Sequence, residues 1–259
     1  MVTGVLPLAL EDATKTIQAF LITGKEYVCL MTLHGDVDSK QLLRTLEEFV
    51  DDIYQKPPVR AAVKREVRKR RIYSIKDIEV DGRQVLFRVS CQAGTYIRKL
   101  VYDAGEVLQV GAHMRELRRV RAGSFTEDTI STLYDVLKLS QSSGADREEL
   151  ARRIIVPMEA AFRHISKIYI RDSAVSAVCH GADLAVPGVV RLTEGIRQNS
   201  AVALFTLKGE LVALSKALMS TEQVLEAEKG LAAKTLRVVM PPEVYPRMWK
   251  TKERALMLT

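Results

Sequence analysis

The sequence predicts an α+β chain in two parts, and two patterns carry that reading. Strands and helices mix over the first 125 residues. From about residue 165 onward, short strands punctuated by glycine dominate, as in a small β-barrel. Taken in order, Lys25–Leu33 (KEYVCLMTL) is rich in apolar and β-forming residues and predicts a strand. Asp38-Ser39 supplies a cap for a helix reaching about Val50, with Leu42, Leu43, Leu46, Phe49 and Val50 at helical spacing. Gln55-Lys56-Pro57-Pro58 must break regular structure, because neither proline has an N–H to donate. Residues 72–80 and 85–91 predict two strands of a hairpin turning at Asp81-Gly82. Thr95 opens a helix whose apolar face is Ile97, Leu100, Val101, Ala104 and Leu108.

Residues 126–160 change character. Helical stretches at about 128–139 and 146–155 flank the polar breaker Ser140-Gln141-Ser142-Ser143-Gly144, and the segment reads either as a linker or as an edge of the first domain. Beyond it, Gly181, Gly188 and Gly195 punctuate short strands. Residues 201–207 and 211–216 form a hairpin across Lys208-Gly209-Glu210, and 235–240 a further strand. The end of the chain from Tyr245 is basic and reads as loosely ordered.

Composition narrows the class. An apolar fraction of 47% and a charged fraction of 27% are globular values and argue against disorder. The three cysteines, Cys29, Cys91 and Cys179, are far apart, odd in number and form no Cys-x-x-Cys. Each reads as a reduced, buried small hydrophobe, not as part of a disulfide framework or zinc knuckle. The four histidines have no metal-ligand spacing, so no metal is expected. No run approaches the length of a membrane span and the start lacks the features of a signal peptide, which leads to the expectation of a cytoplasmic protein.

Lysine and arginine number 39 against 32 aspartates and glutamates, a net charge of +7, and the excess is clustered. Seven cations fall within residues 60–71: Arg60, Lys64, Arg65, Arg68, Lys69, Arg70 and Arg71, opposed only by Glu66. A second cluster is Arg115, Arg118, Arg119 and Arg121. Crowded cations repel unless water, salt or an anion screens them, and phosphates do so with release of counterions. Arginine suits bidentate phosphate contact and stacking. A solvated loop or an acidic protein partner would also accommodate the run. Nothing in the sequence resembles a DNA-reading module, whereas Tyr27, Tyr54, Tyr73 and Tyr96 supply aromatic rings of the kind RNA-binding proteins stack on bases.

Four ordered motifs then carry a resemblance. Val2-Thr3-Gly4-Val5-Leu6-Pro7 resembles the stretch that follows the catalytic aspartate in the TruB and dyskerin branch of pseudouridine synthases. Gln55-Lys56-Pro57-Pro58 with Val63-Lys64, Gly94-Thr95-Tyr96-Ile97-Arg98, and Gly111-Ala112-His113 with Leu117-Arg118-Arg119 resemble three further motifs of that branch. Residues 165–240 look like a PUA domain, above all Cys179-His180-Gly181-Ala182-Asp183 through Gly188. Lys25-Glu26-Tyr27-Val28-Cys29-Leu30 and Met114-Arg115-Glu116-Leu117 favour the archaeal and eukaryotic RNA-guided type, and the lack of a long lysine-rich tail favours the archaeal one.

The resemblance implies a mixed, mainly antiparallel sheet over residues 1–160, a PUA barrel over 161–250 and a basic tail over 251–259. It implies a cofactor-free isomerisation of uridine to pseudouridine in rRNA or tRNA under a box H/ACA guide RNA. Guide RNA, substrate RNA and the particle's small core proteins would be the partners, with no DNA and no membrane. It implies that Tyr27 stacks on the extruded uracil, that Tyr96 and Leu117 line the uracil pocket, and that Arg98 pairs with the catalytic carboxylate. RNA contacts would come from Arg60, Lys64, Arg65, Arg68, Lys69, Arg70, Arg71, Arg118 and Arg119, and from His180, Gly181 and Ala182 of the PUA part.

One departure stands out. The family's nucleophile lies in Gly-Thr-Leu-Asp-Pro, just upstream of the position of Met1, and these 259 residues contain no such motif. Asp12, Asp36 and Asp38 have the wrong context, so the chain alone is expected to be inactive and the domain N-terminally incomplete. A fragment or misassigned start, one half of a split enzyme, and a noncatalytic RNA-binding scaffold are the readings left open, together with guide-independent modification of tRNA.

Overall fold

A computed structural model describes residues 2–58 and 63–248, so Arg60 and the basic tail at 251–259 lie outside the described residues. Within them the chain forms two compact units. The stretch up to Leu8 joins Leu21–Ile155, whereas Ala9–Phe20 joins the chain from Val156 onward. The first unit is therefore not the continuous stretch expected from the sequence. The exchanged segment has no local signature, because its attachment is long-range: Lys15 Nζ donates to the Val239 carbonyl at 3.3 Å.

The first unit begins with strand β1 (Val2–Gly4). After a 3₁₀ turn at Glu11–Thr16 and the short helix α1 (Ile17–Leu21), the chain enters strand β2 (Lys25–Leu33). Helix α2 (Ser39–Glu48) follows, with the Asp38 carboxylate accepting from the amides of Lys40 and Gln41. Then come β3 (Asp51–Gln55), β4 (Arg68–Asp81), β5 (Gln84–Cys91), helix α3 (Ile97–Val107), β6 (Ala112–Ala122) and β7 (Phe125–Thr126). The sheet order is β1-β6-β2-β5-β4-β3, with β7 beside β6. Only β1 runs parallel to its neighbour, so the sheet is mainly antiparallel, as expected.

Alternation along the strands decides where the core lies. Cys29, Met31 and Leu33 of β2 and Val85, Phe87, Val89 and Cys91 of β5 face one side. There they meet Leu42 and Leu46 of α2 and Ile97, Leu100, Val101 and Ala104 of α3. Gly105 lets α3 close on β6, since a Cβ there would stand 2.2 Å from the Ala112 nitrogen. The thiols of Cys29 and Cys91 are free and buried, and burial pushes them up to about 12 and about 11, so both stay neutral core groups. The ambiguous stretch after residue 126 belongs to this unit as α4 (Leu133–Gln141) and α5 (Gly144–Ile154), with a Thr132–Asp135 capping box opening α4.

Two differences from the sequence reading bear on function. Strand β4 starts at Arg68 instead of 72, so half of the basic run is strand, not loop. The second basic cluster is also strand, since β6 carries Arg115, Arg118, Arg119 and Arg121 into the middle of the sheet.

The second unit contains β8 (Ser166–Ile170), α6 (Asp172–Cys179), β9 (Leu184–Ala185), β10 (Val189–Leu192), β11 (Ala201–Thr206), β12 (Leu211–Ala217), α7 (Thr221–Glu226) and β13 (Leu231–Val238). Its strand order is β10-β8-β11-β12-β13-β9. The two edge strands, β9 and β10, are joined by only the three residues Val186–Gly188, so the sheet must curl until its edges approach, as in a small barrel. The core includes Ile168, Ile170, Val175, Leu204 and Val212, closed by Cys179 of α6.

Candidate active site and RNA-binding surface

A cavity of about 660 Å³ opens in the first unit at the N-terminal end of α3. Tyr27 forms one wall. It continues the row Cys29, Met31, Leu33 along β2, one place beyond the part of that row that is fully buried. Leu117 and Arg119 come from β6, where Leu117 pairs with Cys29 and Arg119 with Tyr27. Gly4 of β1 completes this side beside Arg119, and only glycine fits there: its φ is +90° and a Cβ would lie 2.2 Å from the Arg119 carbonyl oxygen. The opposite wall is Pro58, Thr95, Tyr96 and Arg98. Thus Tyr27, Tyr96, Arg98 and Leu117, named from three separate sequence motifs, line one cavity.

The electrostatics of the cavity are one-sided. Its charged lining residues are Arg98 and Arg119, with no carboxylate among them. Arg119 is tied down, its Nε donating to the Val5 carbonyl at 2.6 Å. The Arg98 guanidinium is exposed and has no hydrogen-bond or ion-pair partner among the described residues. It also occupies the first turn of α3, which has no acidic residue. A cation there opposes the helix dipole, so the arrangement does nothing for stability and leaves the site attractive to an anion. Burial raises the Tyr27 hydroxyl above the usual phenol range, partly offset by the nearby Arg119, so the ring stays neutral. Burial and the same arginine lower the Lys25 ammonium.

The basic residues divide by partner. Arg71 Nε and Nη2 donate to the two Asp52 oxygens at 3.0 and 3.1 Å, Arg71 also pairs with Asp51, and Lys69 pairs with Asp52 at 2.9 Å. On β6, Arg118 pairs with Glu127, while Arg121 bonds Glu26 and Ser90. Among the described residues Arg65 and Arg68 donate to the carbonyls of Pro57 and Lys64, and Arg70 to the Lys69 carbonyl. In the second unit His180 is exposed at the end of α6: its Nδ1 bonds the Ser176 carbonyl and Arg247 bonds its Nε2. Gly181 and Ala182, which follow it, are exposed, and Gly181 has a φ of +91°.

A cationic cavity lined by Tyr27 and Tyr96 in one unit and a small barrel in the other are features that suit an RNA-binding class of protein. Comparison with known families supports this class. Residues 1–97 match the TruB family pseudouridylate synthase N-terminal domain, 98–163 the tRNA pseudouridylate synthase B C-terminal domain and 166–239 the PUA domain. A probable tRNA pseudouridine synthase B of Methanopyrus kandleri is 53% identical over 252 residues, which is 97% of this chain and 75% of that protein. Its counterpart in Thermococcus kodakarensis is 54% identical, again over 97% and 75%. Among solved structures, a Cbf5–Nop10–Gar1 complex matches with a TM-score of 0.89 at 51% identity over 95% of this chain and 76% of the matched one. An H/ACA ribonucleoprotein bound to a substrate RNA containing 2′-deoxyuridine matches at 0.87 and 49%, over 96% and 76%. The chain belongs to the TruB family of pseudouridine synthases.

Proposed function

We propose that this chain holds an extruded uridine of a guide-selected RNA while a carboxylate from outside these 259 residues attacks it. The observation that carries the proposal is the sharing of one cavity by Tyr27, Tyr96, Leu117 and Arg98, whose guanidinium has no partner among the described residues. Uridine and pseudouridine are isomers: the bond from the sugar to N1 breaks, a bond to C5 forms, the C5 proton leaves and N1 gains one. The base must first leave the stack, which requires a ring to receive it and apolar groups around it. Tyr27 supplies the ring, and Tyr96 and Leu117 supply the walls. Arg98 holds the incoming carboxylate, whose negative charge completes the pair, and no cofactor is needed. The similarity to H/ACA particles supports RNA guidance, with a guide RNA and small proteins such as Nop10 and Gar1 as partners. In this reading Lys64, Arg65 and Arg68 contact phosphates of the RNA, and His180, Gly181 and Ala182 contact the guide.

Among the described residues no acidic group lines the cavity, which supports inactivity of the chain by itself. The test supplies the chain with an upstream segment bearing Gly-Thr-Leu-Asp-Pro, together with guide RNA and core proteins, and measures pseudouridine in the target strand. Conversion only with the added segment and guide supports the proposal. Conversion by the 259 residues alone contradicts the external carboxylate, and conversion without guide contradicts RNA guidance.

A further inference from the structure

Gln55 is the last residue of β3, a strand whose other end carries the exposed Asp51 and Asp52, yet its side chain is only 1% exposed. A buried primary amide is costly unless all its hydrogen-bonding groups are used. Here they are directed at the backbone of one residue. Gln55 Oε1 accepts from the Tyr96 amide at 2.9 Å, and Gln55 Nε2 donates to the Tyr96 carbonyl at 3.2 Å. Tyr96 is the N-cap of α3 and its own side chain makes no capping bond. By accepting from the Tyr96 amide, Gln55 does from 41 residues away what the N3 side chain of a capping box does locally. It fixes the backbone from which Tyr96 and, two residues later, Arg98 enter the cavity. Three residues beyond Gln55, Pro58 lines the same cavity.

We infer that Gln55 is a positioning residue, clamping the Tyr96 backbone so that Tyr96 and Arg98 hold the register needed for isomerisation. The inference rests on the proposed uridine-holding role of the cavity. Leucine in its place fills the space but strands the Tyr96 amide. Glutamate keeps the acceptor and regains the donor only when protonated, a form that burial favours.

The test has two readouts. Hydrogen exchange at the Tyr96 amide in the 259-residue chain should be at least about tenfold faster in Gln55→Leu, with the circular dichroism retained. In the complete guide-bound enzyme, Gln55→Leu should slow single-turnover conversion by about tenfold to a hundredfold while RNA affinity changes less than about twofold. Gln55→Glu should recover toward the wild-type rate at each pH as the medium becomes more acidic, which a space-filling role would not produce. Unchanged exchange in Gln55→Leu would overturn the clamp. Faster exchange with an unaltered rate, or failure of Gln55→Glu to recover on acidification, would overturn the positioning role. If Gln55→Leu does not fold, the pH response of Gln55→Glu decides alone. A complete wild-type enzyme without activity would overturn the reading of the cavity, while exchange would still decide the clamp.

Discussion

Strands β4 and β6 are both arginine-rich, yet their cations have different fates. On β6, Arg118 and Arg121 are matched by Glu127 and Glu26, and Arg119 by the Val5 carbonyl, so most of the cluster is structural. At the start of β4, Lys69 and Arg71 face carboxylates of β3 because Asp51 and Asp52 pair with Ile72 and Arg71 in the sheet. Lys64 and Arg65, which precede β4, and Arg68, its first residue, pair with no carboxylate of the described residues. The carboxylates of β3 thus neutralise Lys69 and Arg71 but not Arg68, whose sheet partner is Gln55.

The largest expected effect is on RNA binding. Replacing Lys64, Arg65 and Arg68 by alanine should lower affinity by about tenfold to a thousandfold and reduce the salt slope by about 2, for about 0.7 per released counterion on a single strand. Thermal stability should stay within about 0.5 kcal/mol. Fluorescence anisotropy at several salt concentrations checks both affinity and slope, and an unchanged slope would erase the proposed contrast.

Arg121→Ala should behave in the opposite way. Arg121 and Glu26 are both mostly buried, so removing one partner should cost about 1–2 kcal/mol, softened by the second bond from Arg88 to Glu26. Denaturant unfolding should register this loss, with the RNA salt slope intact. A drop in slope without a loss of stability would place Arg121 among the free cations.

A smaller effect concerns pH. Hydrogen bonds from Arg71 and Lys69 hold the Asp52 carboxyl below the usual carboxylate range. A folded-state value lowered in this way contributes stability above the unfolded value, near pH 4, and that contribution disappears as pH falls through the folded value. The wild-type chain should therefore lose slightly more stability on acidification below about pH 4 than Asp52→Asn. Parallel acid titrations followed by circular dichroism measure the difference. Identical curves would remove Asp52 from the account.

The same contrast shows what was legible in advance. Strand β2 follows from the apolar and β-forming run after Lys25 and Glu26, and the α3 face from its periodicity. Strand β6 has no clear strand signature in the sequence, because His113, Arg115, Glu116, Arg118, Arg119 and Arg121 obscure its alternation. The pairing of β2 with β6 also shifts register twice, between Glu26 and Tyr27 and between Leu30 and Met31. Tyr96, Arg98 and Leu117 were found through motif resemblance, since nothing in their spacing alone brings β2, β6 and α3 to one cavity. Gln55 carried no local signal of burial, because its partner is 41 residues away. Likewise, no carboxylate in the order of the sequence reveals that Arg71 is neutralised while Arg98 is not.

Arg98→Ala in the completed, guide-bound enzyme tests the central claim most directly. Pseudouridine formation should fall by about a hundredfold or more, as expected for loss of a preorganised charge partner, while guide RNA affinity remains at the wild-type level. Equal losses of rate and affinity would make Arg98 one more phosphate-binding cation, and unchanged conversion would contradict the account altogether.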